Sequence, residues 1–585
     1  GTLRTFLSAR PMASRPILLT LMTTLHTTQA GKLPEDRAQL YNESVDLLID
    51  RWQHKKQRST DADTDNLSEG TVDPAIQKVF QFGTDRVRGV MESIAFASHQ
   101  KQQAQQKDYP EAAQQSADIT RLELESAFSP ILPDNLHPRV VVDYLAKYAG
   151  LLIAREPGIF IFPHRSFQEF LAACHIFNQP NATRNLLDLI HDDLNWWREV
   201  FLLAAGRQKS GGLDNAASLI SALRQESVHD KASITDQDWH EAALAGEGLL
   251  EIRLLEDEKN QQAYEGLINR IRGWLTKLVA EGHLNPKARL AAGDTLGALG
   301  DRRKGANVIR HKAVAVPDID WVPIPAGEFL MGRADTDKKA FDDEKRQHPV
   351  YLSQYWISRF PLTTAQFEPF IKAGGYKEKA FWTEAGWAWR HGAERDYSDI
   401  KVDDLIELYE RYQAARPKDR RGEPYFWRVK PWNGANRPVV GICWYEAHAY
   451  TRWLTHLLQG CPSLLPTGVG VDWAVTLPSE AEWEKAVRGL DGLIYPWGDD
   501  WKENAANVEA TNMNTTSLVG MFPNGKGAVF KLLDGVGNVW EWTRSLWGSD
   551  WQKPDFNSPY DPKDPEREAL EDVRLRVVRG GSFNN

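Results

Sequence analysis

The period of the hydrophobic positions changes twice along this chain. Leu40, Val45, Leu48 and Trp52 recur at helical spacing, after Leu33-Pro34-Glu35-Asp36-Arg37, where proline and acids suit a helical first turn. Residues 1 to about 53 are therefore expected to be helical, and the polar stretch 54–74 reads as a linker. The helical pattern resumes at Ile76, breaks over the glutamine-rich stretch 100–117 and continues to about Tyr148. Residues 151–162, LLIAREPGIFIF, give two short apolar runs about a Glu-Pro-Gly turn, which predicts a β-hairpin. An amphipathic helix is expected directly after it, over residues 164–173. Helices followed by a small hairpin describe a winged helix, and residues 186–316 read as helical throughout.

From Trp321 the pattern turns to short strands, turns and aromatics. WVPIPAGEFLMG reads as strand, with Pro-Ala-Gly as its turn. Pro361-Leu362-Thr363-Thr364 opens a helix, with Thr364 as the expected N-cap, and a second helix follows Ile442-Cys443 and runs through Leu454. The stretches 377–436 and 498–530 are irregular, so aromatic clusters and bound metal are the expected fasteners. Five of the 22 tryptophans precede residue 320, which marks a boundary between two kinds of domain.

A chain of 585 residues needs several cores. Its apolar fraction of 42% and charged fraction of 26% describe a soluble globular protein, and a formal charge of −10 argues against general nucleic-acid binding. Cys174, Cys443 and Cys461 are its three cysteines; none stands in a zinc-finger or CxxC spacing, so a reducing, cytoplasmic setting is expected. Cys443, in an apolar run, reads as a small buried hydrophobe. No apolar run is long enough to span a bilayer, so no membrane partner is expected.

Four spaced signatures fill the last hundred residues: LPSEAEWE at 477–484, YPWG at 495–498, GNVWEW at 537–542 and RGGSFNN at 579–585. Together they resemble the formylglycine-generating-enzyme (sulfatase-modifying factor) superfamily, whose fold belongs to the C-type-lectin-like group. The segment 534–541 offers two carboxylates and two backbone carbonyls along a glycine-containing path, the hard oxygens that calcium takes. The resemblance implies that Asp534, Gly537, Val539 and Glu541 hold a structural calcium ion; the plainer alternative is that Glu541 caps a turn and Asp534 faces water. A second calcium site of the family would use Asn507 and Val508, but the loop after them differs here. In the resembled enzymes two cysteines after the Arg-Gly-Gly-Ser segment hold copper. Asn585 stands at the first of those positions, and an amide is a poor ligand for Cu(I), so copper oxidase activity is not expected of this domain. RVVRGGSFNN also resembles the start of the variable segment in proteins diversified by retroelements, which implies ligand contacts at Ser582, Phe583, Asn584 and Asn585. Trp483, Trp540 and Trp542 are expected in the core rather than as a sugar platform.

A second resemblance lies upstream. SRPILLTLMTTLH, GKLPEDRAQLYNESVDLLIDRW and FIFPHRSFQEFLAA look like the helical and winged-helix subdomains of a NACHT-type STAND NTPase, over roughly residues 1–185. It implies that His164 senses the phosphate of bound ADP and that Pro16 packs near adenine. The sequence holds no GxxxxGK[ST] motif, so ATP or ADP is expected only with a nucleotide-binding core that this chain lacks. KARLAAGDTLGALGDRR at 287–303 resembles one HEAT-like helix pair, with no second copy to establish a solenoid.

The expected organisation is multidomain, with an α-helical and winged-helix N-terminal half and an α+β, C-type-lectin-like C-terminal domain. Its parts are 1–74, helical subdomain and linker; 75–185, winged helix; 186–316, HEAT-like helical spacer; and 317–585, a formylglycine-generating-enzyme-like domain expected to be truncated at its C-terminus. The expected function is ligand sensing in a bacterial NACHT signalling ATPase. A protein or other macromolecule would bind the C-terminal domain, and activation would bring homo-oligomerisation. The alternatives are a copper-dependent cysteine oxidase and a non-catalytic interaction adaptor.

Overall fold

The computed structural model describes residues 22–23, 25–27, 34, 36–59, 83–106, 117–338, 340, 344–393, 421–550, 553–556 and 558–584. The chain forms two compact units, residues 1–271 and 272–585. Pro16 and Asn585 lie outside the described residues.

In the first unit the described elements include α1 (Arg37–Ser59) and α2 (Thr84–Gln106). Asp36 rather than Pro34 starts α1, its Oδ1 accepting the Gln39 N–H at 2.8 Å. Both helices overrun their expected ends: α1 enters the predicted linker, and α2 continues through glutamines 102, 103, 105 and 106. Lys, Gln and Ala are good helix formers, so polarity alone did not break the helix. Next come β1 (Ile119–Thr120), α3 (Arg121–Phe128) and α4 (Pro138–Tyr144). The predicted hairpin is β2 (Ile153–Glu156) with β3 (Ile159–Ile161), antiparallel, and β1 adds a third strand beside β3. Then α5 (Arg165–Phe177) follows, with His164 at its N-cap. Every residue from Ser166 to Cys174 is buried, so α5 is enclosed rather than amphipathic. Further α-helices follow: α6 (Ala182–Asp192), α7 (Leu194–Ser210), α8 (Leu213–Leu223), α9 (Asp236–Glu251) and α10 (Glu258–Ala263). The division between the units falls inside α11 (Glu265–Glu281).

The second unit includes α12 (Pro286–Leu299), a single helix where a helix pair was expected. Arg437 binds Asp294 of this helix at 2.7 Å, and Arg289 donates to the Met521 carbonyl at 3.0 Å. Strands β4 (Val308–His311) and β5 (Val314–Pro317) form a hairpin within the stretch expected to be helical. Four further strands pair as β6 (Trp321–Ile324) with β9 (Tyr355–Ser358) and β7 (Gly327–Met331) with β8 (His348–Leu352). The Pro-Ala-Gly turn therefore separates strands of different sheets. Helix α13 (Thr364–Lys372) is capped by Thr363 rather than Thr364: Thr363 Oγ1 accepts the Gln366 N–H, and the Gln366 side chain accepts the Thr363 N–H. Helix α14 (Glu384–Arg390) precedes α15 (Trp444–Gln459). Phe367, Phe370, Tyr376, Trp382, Trp389, Tyr450 and Trp453 form an aromatic core between these helices.

Helix α16 (Glu480–Arg488) begins with a capping box from Ser479 and Glu482. Buried Lys485 donates to the carbonyls of Pro325 and Gly327 at 2.8 and 2.9 Å, tying the helix to the turn between β6 and β7. Finally β10 (Glu541–Gly548) and β11 (Leu575–Arg579) pair antiparallel, with Glu541 opposite Arg579.

Candidate functional site

The signatures of the last hundred residues converge in space. The turn before β10 is built by left-handed residues: Asp534 (φ 63°), Gly537 (φ 71°) and Asn538 (φ 62°). Gly537 is required there, because a Cβ would lie 2.2 Å from the Asn507 carbonyl oxygen. Asp534 is buried, and its Oδ2 accepts the Gly520 N–H at 2.6 Å. Glu541 is half-buried, and its Oε2 accepts the Trp483 indole N–H at 3.1 Å. Burial pushes the Asp534 carboxyl up to about 6, against the pull of the Gly520 N–H and of Arg303. Burial, with the charge of Asp534 added, pushes Glu541 up to about 8.

Two neighbouring carboxyls, the Asp534 charge raising Glu541, suit a divalent cation, which would offset both charges. The Val539 carbonyl oxygen and Glu541 Oε1 lie 3.6 and 3.9 Å from the position of a Cβ on Gly580, so both face the same narrow space. Among the described residues no group of three His, Cys, Asp or Glu side chains gathers as a metal site, so a cation in this turn would take carbonyl oxygens beside its two carboxylates. Asn507 and Val508 lie alongside: Asn507 forms a parallel bridge with Gly537 and accepts the Asn538 N–H at 2.7 Å.

Ser582, Phe583 and Asn584 line a cavity of about 1000 Å³. The Phe583 ring stands 5.4 Å from Trp432, which stands 5.7 Å from Phe426. Glu482 and Arg544, paired at 2.6 Å, also line it, as do Asn538 and Glu541. Trp483 is buried as expected, but Trp540 is 51% exposed and borders the cavity, because Gly537 and Asn538 take the inward positions of the loop. No cysteine is among the described residues lining it. Cys174 and Cys461 are buried, whereas Cys443 is only half-buried, since it caps α15 and Glu446 Oε2 accepts its N–H at 2.9 Å.

His164 belongs to the other unit. Its Nδ1 accepts the Ser166 N–H at 3.0 Å and lies 2.6 Å from Ser166 Oγ, which leaves the ring proton of the neutral form on Nε2. Tyr41 donates to Ser166 Oγ at 2.7 Å, so α1 and α5 jointly fix this ring. The network around Asn538 was missed in the sequence; its only local signal is an asparagine after glycine, which suits a left-handed turn.

Comparison with known proteins agrees with this division. Residues 307–585 match the sulfatase-modifying factor enzyme 1-like domain, and residues 37–176 match the winged helix-turn-helix domain C-terminal to NACHT. A formylglycine-generating enzyme of Streptomyces coelicolor is 30% identical over 289 residues, 45% of this chain and 78% of that protein. Another, from Thermomonospora curvata, is 29% identical over 284 residues, 45% of this chain and 82% of that protein. The inactive Cα-formylglycine-generating enzyme 2 of Bos taurus is 30% identical over 251 residues, 39% of this chain and 71% of that protein. The chain belongs to the formylglycine-generating-enzyme (sulfatase-modifying factor) family through its second unit, and a NACHT-associated winged helix precedes that domain.

Among the described residues no helix is long and apolar enough to cross a membrane.

Proposed function

We propose that this chain is the ligand-sensing part of a NACHT-type STAND signalling ATPase, with a C-type-lectin-like C-terminal domain that captures a protein or other macromolecular ligand. The observation that carries this reading is the position of Ser582, Phe583 and Asn584 on an aromatic-walled cavity, in a chain that also holds a NACHT-associated winged helix. Phe583 and Trp432 supply apolar contact area, while exposed Asn584, whose Oδ1 accepts the hydroxyl of buried Ser582, supplies the polar contact that selects among ligands. Asn585 and a retroelement-diversified segment belong to the same proposal.

Asp534, Gly537, Val539 and Glu541 would hold calcium, which when bound supplies charge neutralisation to the turn. His164 would present its Nε2 proton to the phosphate of ADP held by a nucleotide-binding core, with Pro16 near the base. Ligand capture would favour nucleotide exchange and homo-oligomerisation in the cytoplasm, provided the ligand binds one state better than the other.

The test is photo-crosslinking from position 583 in the full-length protein, followed by ADP release with and without the crosslinked partner. The partner should accelerate release, and the Phe583→Ala, Asn584→Ala double variant should lose at least tenfold in apparent affinity. A partner that acts equally on the double variant, or changes no nucleotide step, rules against the reading.

A further inference from the structure

The turn 534–541 and the segment 579–584 are joined at three points. The ladder between β10 and β11 ends with Glu541 opposite Arg579. Beyond it the Gly537 N–H donates to the Gly580 carbonyl at 2.7 Å. Gly580 and Gly581, with φ of 98° and 78°, then turn the chain back, and the Phe583 N–H donates to the Asn538 carbonyl at 3.2 Å. Ser582, Phe583 and Asn584, which border the cavity, therefore hang from the backbone of the proposed cation turn.

Asn538 fixes that backbone in turn. It is 1% exposed, and its Oδ1 accepts the Ser517 N–H at 2.8 Å and the Asn507 Nδ2–H at 3.3 Å. Its Nδ2 donates to the Ser517 carbonyl at 3.3 Å, and its own N–H donates to the Asn507 carbonyl at 2.7 Å. One side chain thus ties the turn to two other segments, while its carbonyl holds Phe583. A buried amide with its polar atoms paired sets one backbone position, since any shift leaves groups unsatisfied.

We infer that Asn538 is a positioning residue coupling the cation turn to the ligand segment, so that a cation bound at 534–541 sets the conformation of Ser582, Phe583 and Asn584. The inference rests on the calcium reading above. With Asp534 and Glu541 neutralised by a cation, the turn holds one geometry and Phe583 stays bonded to Asn538. Without a cation nothing draws the two carboxyls and the Val539 carbonyl together, so the turn loosens and the segment loosens with it.

Calcium binding to the whole chain, measured by calorimetry, and amide hydrogen exchange at residues 582–584 with and without calcium test this separately. Calcium should slow exchange at the Phe583 amide at least tenfold in the wild type. Asn538→Gly keeps the left-handed backbone and removes the amide; it should bind calcium within about threefold of wild type yet lose most of that protection. Asn538→Asp keeps the Oδ acceptor and should retain part of it. Wild type that binds calcium with unchanged exchange at 582–584 overturns the coupling and leaves the calcium reading standing. Wild type that binds no calcium overturns both. Full protection in Asn538→Gly removes Asn538 from the coupling, and the wild-type comparison decides even if that variant does not fold.

Discussion

In the unit ending at Ile271, charged side chains fasten one helix to another; in the unit beginning at Arg272, they also fasten irregular backbone. Arg37 of α1 binds Glu199 of α7 at 2.7 Å and Glu251 of α9 at 3.1 Å, holding three helices with one guanidinium. Arg88 of α2 acts similarly toward Asp46 of α1. In the second unit, Arg289 donates to the carbonyls of His283, Leu284 and Met521, and Arg488 to those of Gly332, Gly492 and Leu493. A helix satisfies its own backbone, so its neighbours need supply only packing and charge. An irregular chain must borrow partners for its carbonyls and amides, and buried Arg, Lys and Asn lend them. The second architecture can shape a concave site from loops, and each loop then depends on particular side chains.

The comparison breaks first at Gly537. Gly537→Ala places a Cβ against the Asn507 carbonyl and imposes an unfavourable backbone region. The loss should be about 4 kcal/mol or more, seen as a large fall in the thermal midpoint of the second unit. A loss under about 1 kcal/mol would mean the loop is not held as described.

The next effect belongs to the helical unit. Arg37→Ala leaves Glu199 and Glu251 without their shared partner, which should cost about 3 kcal/mol. Faster hydrogen exchange in α7 and α9 than in α2 would check it. Uniform acceleration across the unit would show that Arg37 acts as bulk packing rather than as a clamp.

What could be read from sequence follows the same division. Helix faces, the β2–β3 hairpin and α5 were legible because their periodicity and turn residues are local. The β4–β5 hairpin was not: its turn uses Lys312 and Ala313 at φ of 47° and 70°, without the asparagine or glycine that announces such a turn. Two-residue β1 offers no periodicity at all. Thr363 and Thr364 are both capping types, and only the reach of Gln366 decides between them. At the candidate site, the family signatures located Ser582 to Asn584 and the carboxylates. The junction at Asn538 was illegible because its partners, Asn507, Ser517 and Phe583, are distant in sequence and irregular in structure.

A cation in the 534–541 turn should sharpen the contrast. Calcium at about 100 times its Kd should stabilise the second unit by about 2.7 kcal/mol and leave the helical unit unchanged. Two-wave thermal unfolding with calcium and then with chelator checks this, and Glu541→Gln should shrink the calcium-dependent shift. Equal shifts in both waves would place the cation elsewhere.

The smallest effect at neutral pH lies in a feature the two units share, a buried histidine. His99 is packed between Trp196 and Trp197, with ring centroids 4.8 Å from each, and His448 lies parallel to Trp444 at 5.0 Å. Burial, with Arg165 nearby, pushes His99 down to about 3; burial, with Arg452 and Arg576, pushes His448 down to about 4. Each stays neutral in the fold while its unfolded form gains a proton below about 6.5. The unfolded state therefore binds more protons as pH falls, so the stabilisation is complete above about pH 6.5 and is lost toward the folded pKa. For His99 the loss should reach about 2 kcal/mol between pH 7 and pH 5. His99→Phe keeps an aromatic ring between the tryptophans and removes the titration. Urea midpoints of the helical unit, followed by far-ultraviolet circular dichroism at the two pH values, should then converge. His448 remains in that variant, so the acid sensitivity of the second unit should persist. If His99→Phe shows the wild-type drop, the acid sensitivity of the helical unit comes from its carboxylate clamps instead, and the two units differ in acid as they differ in how their charges are used.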